Sequence, residues 1–224
     1  IIGVSLASIG LVTFWGGHIY GKNALLREAQ KEALVLESVS LSAPKDAGEA
    51  EKRAYKESRQ AALGKHKETI KRAEMLSMVL NTIGGGLGLV LFGWISTRLG
   101  RKGAFILYHA VAFVMMLLLF EVLIANDVGT MWLAITLPVF GFFTLGMHAG
   151  YAVYFPELYP TRLRGTGAGF CFNMGRLATA AAFFGFGAFP VPPETKAVYL
   201  APLYLVGVVI VFFARETRNE ELPE

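Results

Sequence analysis

One cysteine, four histidines and a charged fraction of only 17% leave this 224-residue chain little material for disulfide, metal or acid–base chemistry. Cys171 stands alone inside an apolar run, which excludes a disulfide framework and a zinc pattern and predicts a packed structural thiol. His18, His109 and His148 are dispersed singly. No His-x-x-x-His or Gly-x-Ser-x-Gly occurs, and no acidic pair has metal spacing, so neither an enzyme nor a cofactor is expected. The run GGGLG at 84–88 has the look of a phosphate loop, but no strand precedes it and it lies within an apolar segment. The net charge of +4 does not point to nucleic acid either, because the basic residues sit in links beside apolar runs.

What the chain has in abundance is apolar length. Hydrophobic residues make up 54%, mean hydropathy is +0.49, and 25 glycines suit helices packed closely in lipid. Five runs long enough to cross a bilayer, with a sixth stretch at the very start, fall at roughly 1–20, 75–97, 104–125, 130–155, 166–189 and 197–213. Lipid offers no partner to backbone N–H and C=O groups, so each run must be a helix closing its own hydrogen bonds. The expected class is therefore an all-α, multi-pass membrane protein. Gly84 with Gly88 and Gly165 with Gly169 are small-xxx-small pairs that predict close helix contacts, and Pro138 and Pro202 predict kinks within spans four and six.

Charge in the links orients the spans. The link at 96–103 carries Arg98, Arg101 and Lys102, and that at 156–165 carries Arg162 and Arg164. The link at 126–129 has no base, and 190–196 has only Lys196. The positive-inside rule makes the two basic links and the C-terminus cytoplasmic, with both ends of the chain inside a cell (inner or plasma) membrane. Residues 22–73 hold twelve Lys/Arg and eight Asp/Glu yet fall outside by parity, and long segments translocate with little regard to charge. Their Ala, Glu, Lys and Leu content predicts two charged helices, about 22–41 and 49–72, with Asp46 and Glu49 spaced as a cap and its partner. The division expected is a first span at 1–21, an extracytoplasmic charged helical hairpin at 22–73, a five-span remainder at 74–214 and a cytoplasmic tail at 215–224. The hairpin reads as a solvated stalk or as a docking surface. A first residue other than methionine, with no basic segment ahead of the first run, reads as the latter part of something longer.

Three motifs carry a resemblance. GWISTRLGRKG at 93–103 resembles the basic link between spans two and three, and eight and nine, of major facilitator superfamily transporters. PELYPTRLRGTGAG at 156–169, followed by NMGR at 173–176, is similar to the link after span ten and the start of span eleven in the sugar, aromatic-acid and organic-cation porter branches. RETRNEELPE at 215–224 is similar to the tail after span twelve in sugar-porter-like members. The resemblance implies spans seven to twelve, one six-helix half of a fold in which two bundles hold the substrate between them near the bilayer midplane. It implies a secondary transporter for a small organic solute, with an N-terminal six-helix half as partner, in the same or another chain, and proton or sodium coupling. Thr97 stands where the family's link has aspartate, Arg215 where its tail has proline and Asn219 where it has glycine. A non-transporting scaffold or sensor, whose outer hairpin binds a partner, is the competing reading.

Within spans, ionisable and polar groups are the candidates for substrate binding or coupling, because they are costly in hydrocarbon unless they face a cavity or a partner. With the fifth span starting near Gly165, a rise of about 1.5 Å per residue puts Arg176 about 16 Å deep, near the middle of a core of about 30 Å. Asn173 lies three residues earlier on the same face, and the pair suits a carboxylate or hydroxyl of a solute, or a carboxylate of another helix. Thr144, His148 and Tyr151 form a polar-aromatic stripe in a span that the resemblance makes cavity-lining. Asn81 lines a cavity or bonds between helices. Phe14, Trp15 and His18 read as an interfacial aromatic belt as readily as a binding site, and His109 and Glu121 fall on a helix that the resemblance makes peripheral. Arg98, Arg101, Lys102, Glu157, Arg162 and Arg164 suit a gate network at the cytoplasmic mouth.

Overall fold

The computed structural model describes residues 1–43, 48–187 and 193–220, and among them its regular structure is all helical, with no strand. In chain order come α1 (Ile2–Thr13), a π-helical turn (Phe14–His18), α2 (Ile19–Gly21), α3 (Ala24–Leu36), α4 (Glu49–Lys65) and α5 (Lys67–Leu117). A second π-helical segment (Leu118–Ile124) leads to α6 (Thr130–Gly146), α7 (His148–Glu157), a 3-10 turn (Thr161–Leu163), α8 (Arg164–Gly187), α9 (Pro193–Leu200) and α10 (Pro202–Phe212). Four stretches are long and apolar enough to cross a membrane: Ile2–Leu36, Lys67–Ile124, Thr130–Glu157 and Thr195–Phe212. The second of these spans two expected runs, because α5 is broken at Gly100, whose φ of 80° and ψ of 168° only glycine adopts cheaply. The run expected at 166–189 is helical over α8, but Arg176 and a wealth of glycine, alanine and threonine hold its hydropathy down. Pro138 lies inside α6, whereas Pro202 opens α10 at a position where its missing N–H costs nothing.

The chain forms two compact units, Ile1–Lys22 with Leu80–Glu224, and Asn23–Val79. In the second, α3 packs on α4. Glu37, just past the end of α3, accepts hydrogen bonds from Lys65 and, at 3.2 Å, from His66, and these, Lys65 first, hold its carboxyl below the usual range. Gly48 is the N-cap of α4 and Glu51 accepts its N–H at 3.1 Å, so the cap begins two residues after the Asp46 expected for it, which lies outside the described residues.

The first unit is built on close backbone approaches. A Cβ at Gly84 would lie 2.5 Å from Pro138 Cα, one at Gly88 3.0 Å from Phe142 Cα, and one at Gly146 2.7 Å from Gly88 Cα. α5 and α6 therefore touch backbone to backbone along the glycine stripe, which removes any phosphate-loop meaning from GGGLG. Gly165 and Gly169 behave otherwise: open space lies beside each, and the close contact expected of that pair is absent among the described residues. α1 packs chiefly on α8, where Gly3 faces Cys171 and Gly175 faces Ala7, and the Cys171 thiol is fully buried, 3.1 Å from the Tyr159 hydroxyl. The outward faces are apolar at helical spacing, with Ile83, Leu87, Val90 and Trp94 exposed on α5 and Phe170, Leu177 and Phe184 on α8. Water would not tolerate such stripes, and a lipid phase does.

Candidate functional site

Arg176 is the thirteenth of the 24 residues of α8 and is exposed, in an open cleft of about 580 Å³ lined also by Trp15, Ile19, Tyr20, Thr179 and Phe183. Its guanidinium lies 5.1 Å from the centre of the Phe172 ring, and no carboxylate pairs with it among the described residues. Three aromatic rings and one free bidentate donor suit a solute with an apolar body and an acidic group. Asn173 is also exposed, but its amide donates to Gly169 O at 2.9 Å on its own helix and it does not line the cleft.

The remaining polar candidates collect around a residue that sequence pattern sends elsewhere. His18 is not a belt residue at a membrane interface. It is 5% exposed, with Nδ1 2.8 Å from Thr144 Oγ1 and Nε2 3.0 Å from Asn81 Nδ2. Its ring is stacked between Phe14 at 4.7 Å and Phe140 at 6.0 Å. Asn81 thus serves an interhelical bond and is buried, away from the cleft at Arg176. Of the expected stripe, Thr144 bonds His18, His148 takes its own contact at Leu145 O (3.1 Å), and Tyr151 is fully buried with its ring against Phe105 and its hydroxyl over Gly10. Trp15 keeps a half-exposed place in the cleft. His109 is wholly buried, its Nδ1 donating to Phe105 O at 2.8 Å, and Glu121 is exposed.

A second cluster forms around the break at Gly100. Arg101 grips Glu157 through Nε (3.1 Å) and Nη2 (2.8 Å), and its Nη1 donates to Ser96 Oγ at 2.9 Å. The Glu157 carboxylate also takes the Thr217 hydroxyl at 2.5 Å. Glu216 accepts the backbone N–H groups of Arg101 (2.8 Å) and Lys102 (3.0 Å), the first donors of the helix that restarts after Gly100. An anion at a helix N-terminus is stabilising, and Lys102 Nζ in turn reaches Phe212 O, the last carbonyl of α10, at 2.9 Å. Burial pushes the Glu216 carboxyl up, but the N–H bonds from Arg218, Arg101 and Lys102 and the Arg101 charge outweigh it and leave it below the usual range. Bonding to Glu157 likewise raises Arg101. Arg98 lies over Trp94 at 4.1 Å, and its carbonyl accepts from Arg218. Arg162 is exposed on the 3-10 turn and takes no part in this cluster, and Arg164 opens α8. Thr97, where the resemblance has aspartate, donates to Trp94 O, and the acid that meets this helix junction is Glu216.

Residues 73–224 match the family model of the sugar (and other) transporters. The chain belongs to that family, part of the major facilitator superfamily. A putative metabolite transport protein of Haemophilus influenzae is 30% identical over 133 residues, which is 56% of this chain and 30% of the relative. The synaptic vesicle 2-related protein of Rattus norvegicus is 30% identical over 162 residues, 70% of this chain and 28% of the relative. The sialic acid transporter NanX of Escherichia coli is 29% identical over 133 residues, 58% of this chain and 29% of the relative. The matches thus span under a third of the length of these relatives. No solved structure matches. The family model and two of these relatives are named for transport, and the chain carries four stretches long and apolar enough to cross a membrane. Glu216, Thr217 and Ser96 are the residues that pattern reading missed; for Glu216 and Thr217 the signal was present in the tail motif, and His18 was read as belt or binding site without its two partners.

Proposed function

We propose that this chain is one six-span half of a secondary active transporter that moves a small organic solute by alternating access, with coupling to a proton or sodium gradient. Arg176 carries the reading: a charge in mid-span, lining an open cleft and lacking an acidic partner among the described residues, is costly unless something binds it. An organic acid or acidic sugar fits its geometry, and one relative is by name a transporter of a sialic acid. The second bundle, from the same or another chain, supplies the facing wall of the substrate site. The cluster of Arg98, Arg101, Lys102, Glu157 and Glu216 is the cytoplasmic gate, beside which Arg162 and Arg164 add positive charge. Both ends are cytoplasmic and 22–73 is an outer insert. After replacement of Cys171, single cysteines placed in 50–60 should therefore react with an impermeant thiol reagent from outside, whereas those at 99 or 163 should not. Reversed labelling refutes this orientation.

The functional test is reconstitution in liposomes. Residues 1–224 alone should give no saturable uptake of labelled sugars or organic acids, and co-expression with a complementary six-span bundle should restore it. Saturable uptake by a demonstrated monomer of these 224 residues contradicts the two-bundle reading. The cause is geometric, since one wall cannot alternate and its polar face would border lipid at a cost of several kcal/mol.

A further inference from the structure

The hydrogen bonds around His18 fix its protons. Thr144 has one hydroxyl proton, and it goes to Phe140 O at 2.7 Å, so toward His18 Nδ1 the hydroxyl only accepts. Nδ1 therefore carries a hydrogen, and Nε2 uses its lone pair to accept from the Asn81 amide. The ring is held neutral by two side chains from two other helices. Asn81 Oδ1, meanwhile, is buried without a hydrogen-bond partner among the described residues. Turning that amide by half a revolution would aim Oδ1 at Nε2, and the site would then accept one more proton with no other group displaced. The ring is also placed by an irregular piece of backbone, the π-helical turn Phe14–His18, of a kind that recurs at functional positions.

We propose that His18 is a proton-binding site of this bundle, and that its charge selects between conformations: the arrangement described here holds it neutral, and a second one accepts the proton at Nε2 with Asn81 reversed. The step needs only a proton from water and the Nε2 lone pair. Two basic side chains lie close by among the described residues, Lys22 four residues on, whose backbone N–H donates to His18 O at 2.9 Å, and His148, whose ring is 4.5 Å from that of Phe14. α6, which packs on the π turn, is uncharged, and α9, which also packs there, carries Lys196 among its described side chains. Among the described residues no carboxylate bonds the ring, whose two nitrogens are taken by Thr144 and Asn81. Two phenyl faces, which attract a cation, keep protonation within reach once the backbone shifts. By linkage, protonation then favours whatever conformation loosens the Asn81 and Thr144 contacts. The inference rests on the two-conformation behaviour of the proposed transporter, but its proton-binding part does not.

The test has two arms on the full chain in lipid nanodiscs, with the complementary bundle present. Nitrogen-15 histidine NMR, with His18→Gln to assign the ring, should give an Nδ1-protonated neutral His18 at about pH 8 that becomes doubly protonated toward about pH 5, the interval across which imidazole changes charge. In the second arm Cys171 is replaced and Thr179→Cys reports on the cleft. Its labelling rate should change about tenfold across that interval, as a one-unit difference in proton affinity between the conformations gives. The dependence should vanish in His18→Gln, and Asn81→Asp, which offers Nε2 an acceptor, should move the midpoint to higher pH. A His18 ring that never protonates, labelling independent of pH, or a dependence unchanged by His18→Gln overturns the proposal. If His18→Gln does not fold, an unmoved midpoint in Asn81→Asp overturns it. Failure of the transport reading is seen separately, in loss of uptake at every pH by the wild type.

Discussion

Alanine at position 176 should cut solute uptake about a hundredfold while the protein still inserts and folds, because loss of a bidentate guanidinium contact to an acid costs about 3 kcal/mol. The position argues for a binding loss rather than a folding loss. Arg176 is exposed in its cleft, it makes no ion pair among the described residues, and its ring contact with Phe172 is of the weak, exposed kind. Arg176→Lys should recover little, since a point charge on a flexible stem does not reproduce the planar fork. The measurement is initial uptake of labelled organic acids in vesicles with the complementary six-span bundle co-expressed, normalised to protein at the membrane. Wild-type uptake by a well-expressed Arg176→Ala variant would remove Arg176 from the site.

The same residue marks how far sequence alone reaches. A charge halfway along an apolar run is visible in one dimension, because helix rise turns residue count into depth. The all-helical class was legible for a similar reason, since lipid leaves the backbone no other choice. Partnership across the bundle was not. His18 sits next to Phe14 and Trp15 in the chain, which is the pattern of an interfacial belt, and only folding places it beside Asn81 and Thr144, 63 and 126 residues away. The Gly165 and Gly169 pair had the spacing of a helix contact, but spacing does not say which way a face points, and this one faces open space. The cluster around Gly100 was half legible. Arg101 and Glu157 carry charge in short links, whereas Glu216 acts through backbone N–H groups, which leave no mark on residue type.

Glu216→Ala should lower the melting temperature of the detergent-solubilised protein by about 4 to 8 °C, the shift that about 2 kcal/mol gives in a chain of this size. The carboxylate closes the two backbone donors that follow the break at Gly100, and no nearer acid is available, since position 97 is threonine. Glu216→Gln keeps one accepting oxygen and should lose about half as much. The two changes also separate by pH. A carboxyl held below its usual value stabilises above the ordinary carboxylate range, near pH 4, and that stabilisation is lost as pH falls through the lowered value. The advantage of wild type over Glu216→Gln should therefore persist at neutral pH and shrink below about pH 4. Arg101→Ala should be the more severe change, costing about 2 to 3 kcal/mol, somewhat less than a fully buried pair, because it strands the Glu157 carboxylate with the Thr217 hydroxyl as its remaining donor. In transport, with the complementary bundle present, the two variants should act alike: the restarted helix, the 156–165 link and the tail meet at this one cluster, so on the proposed orientation weakening it should favour the conformation open to the cytoplasm. Labelling of a cysteine at position 99 with a permeant thiol reagent measures that opening, and it should rise in both variants relative to wild type. An equal melting point and equal labelling in Glu216→Ala would show that the cluster is a passive seam between helix ends rather than a gate.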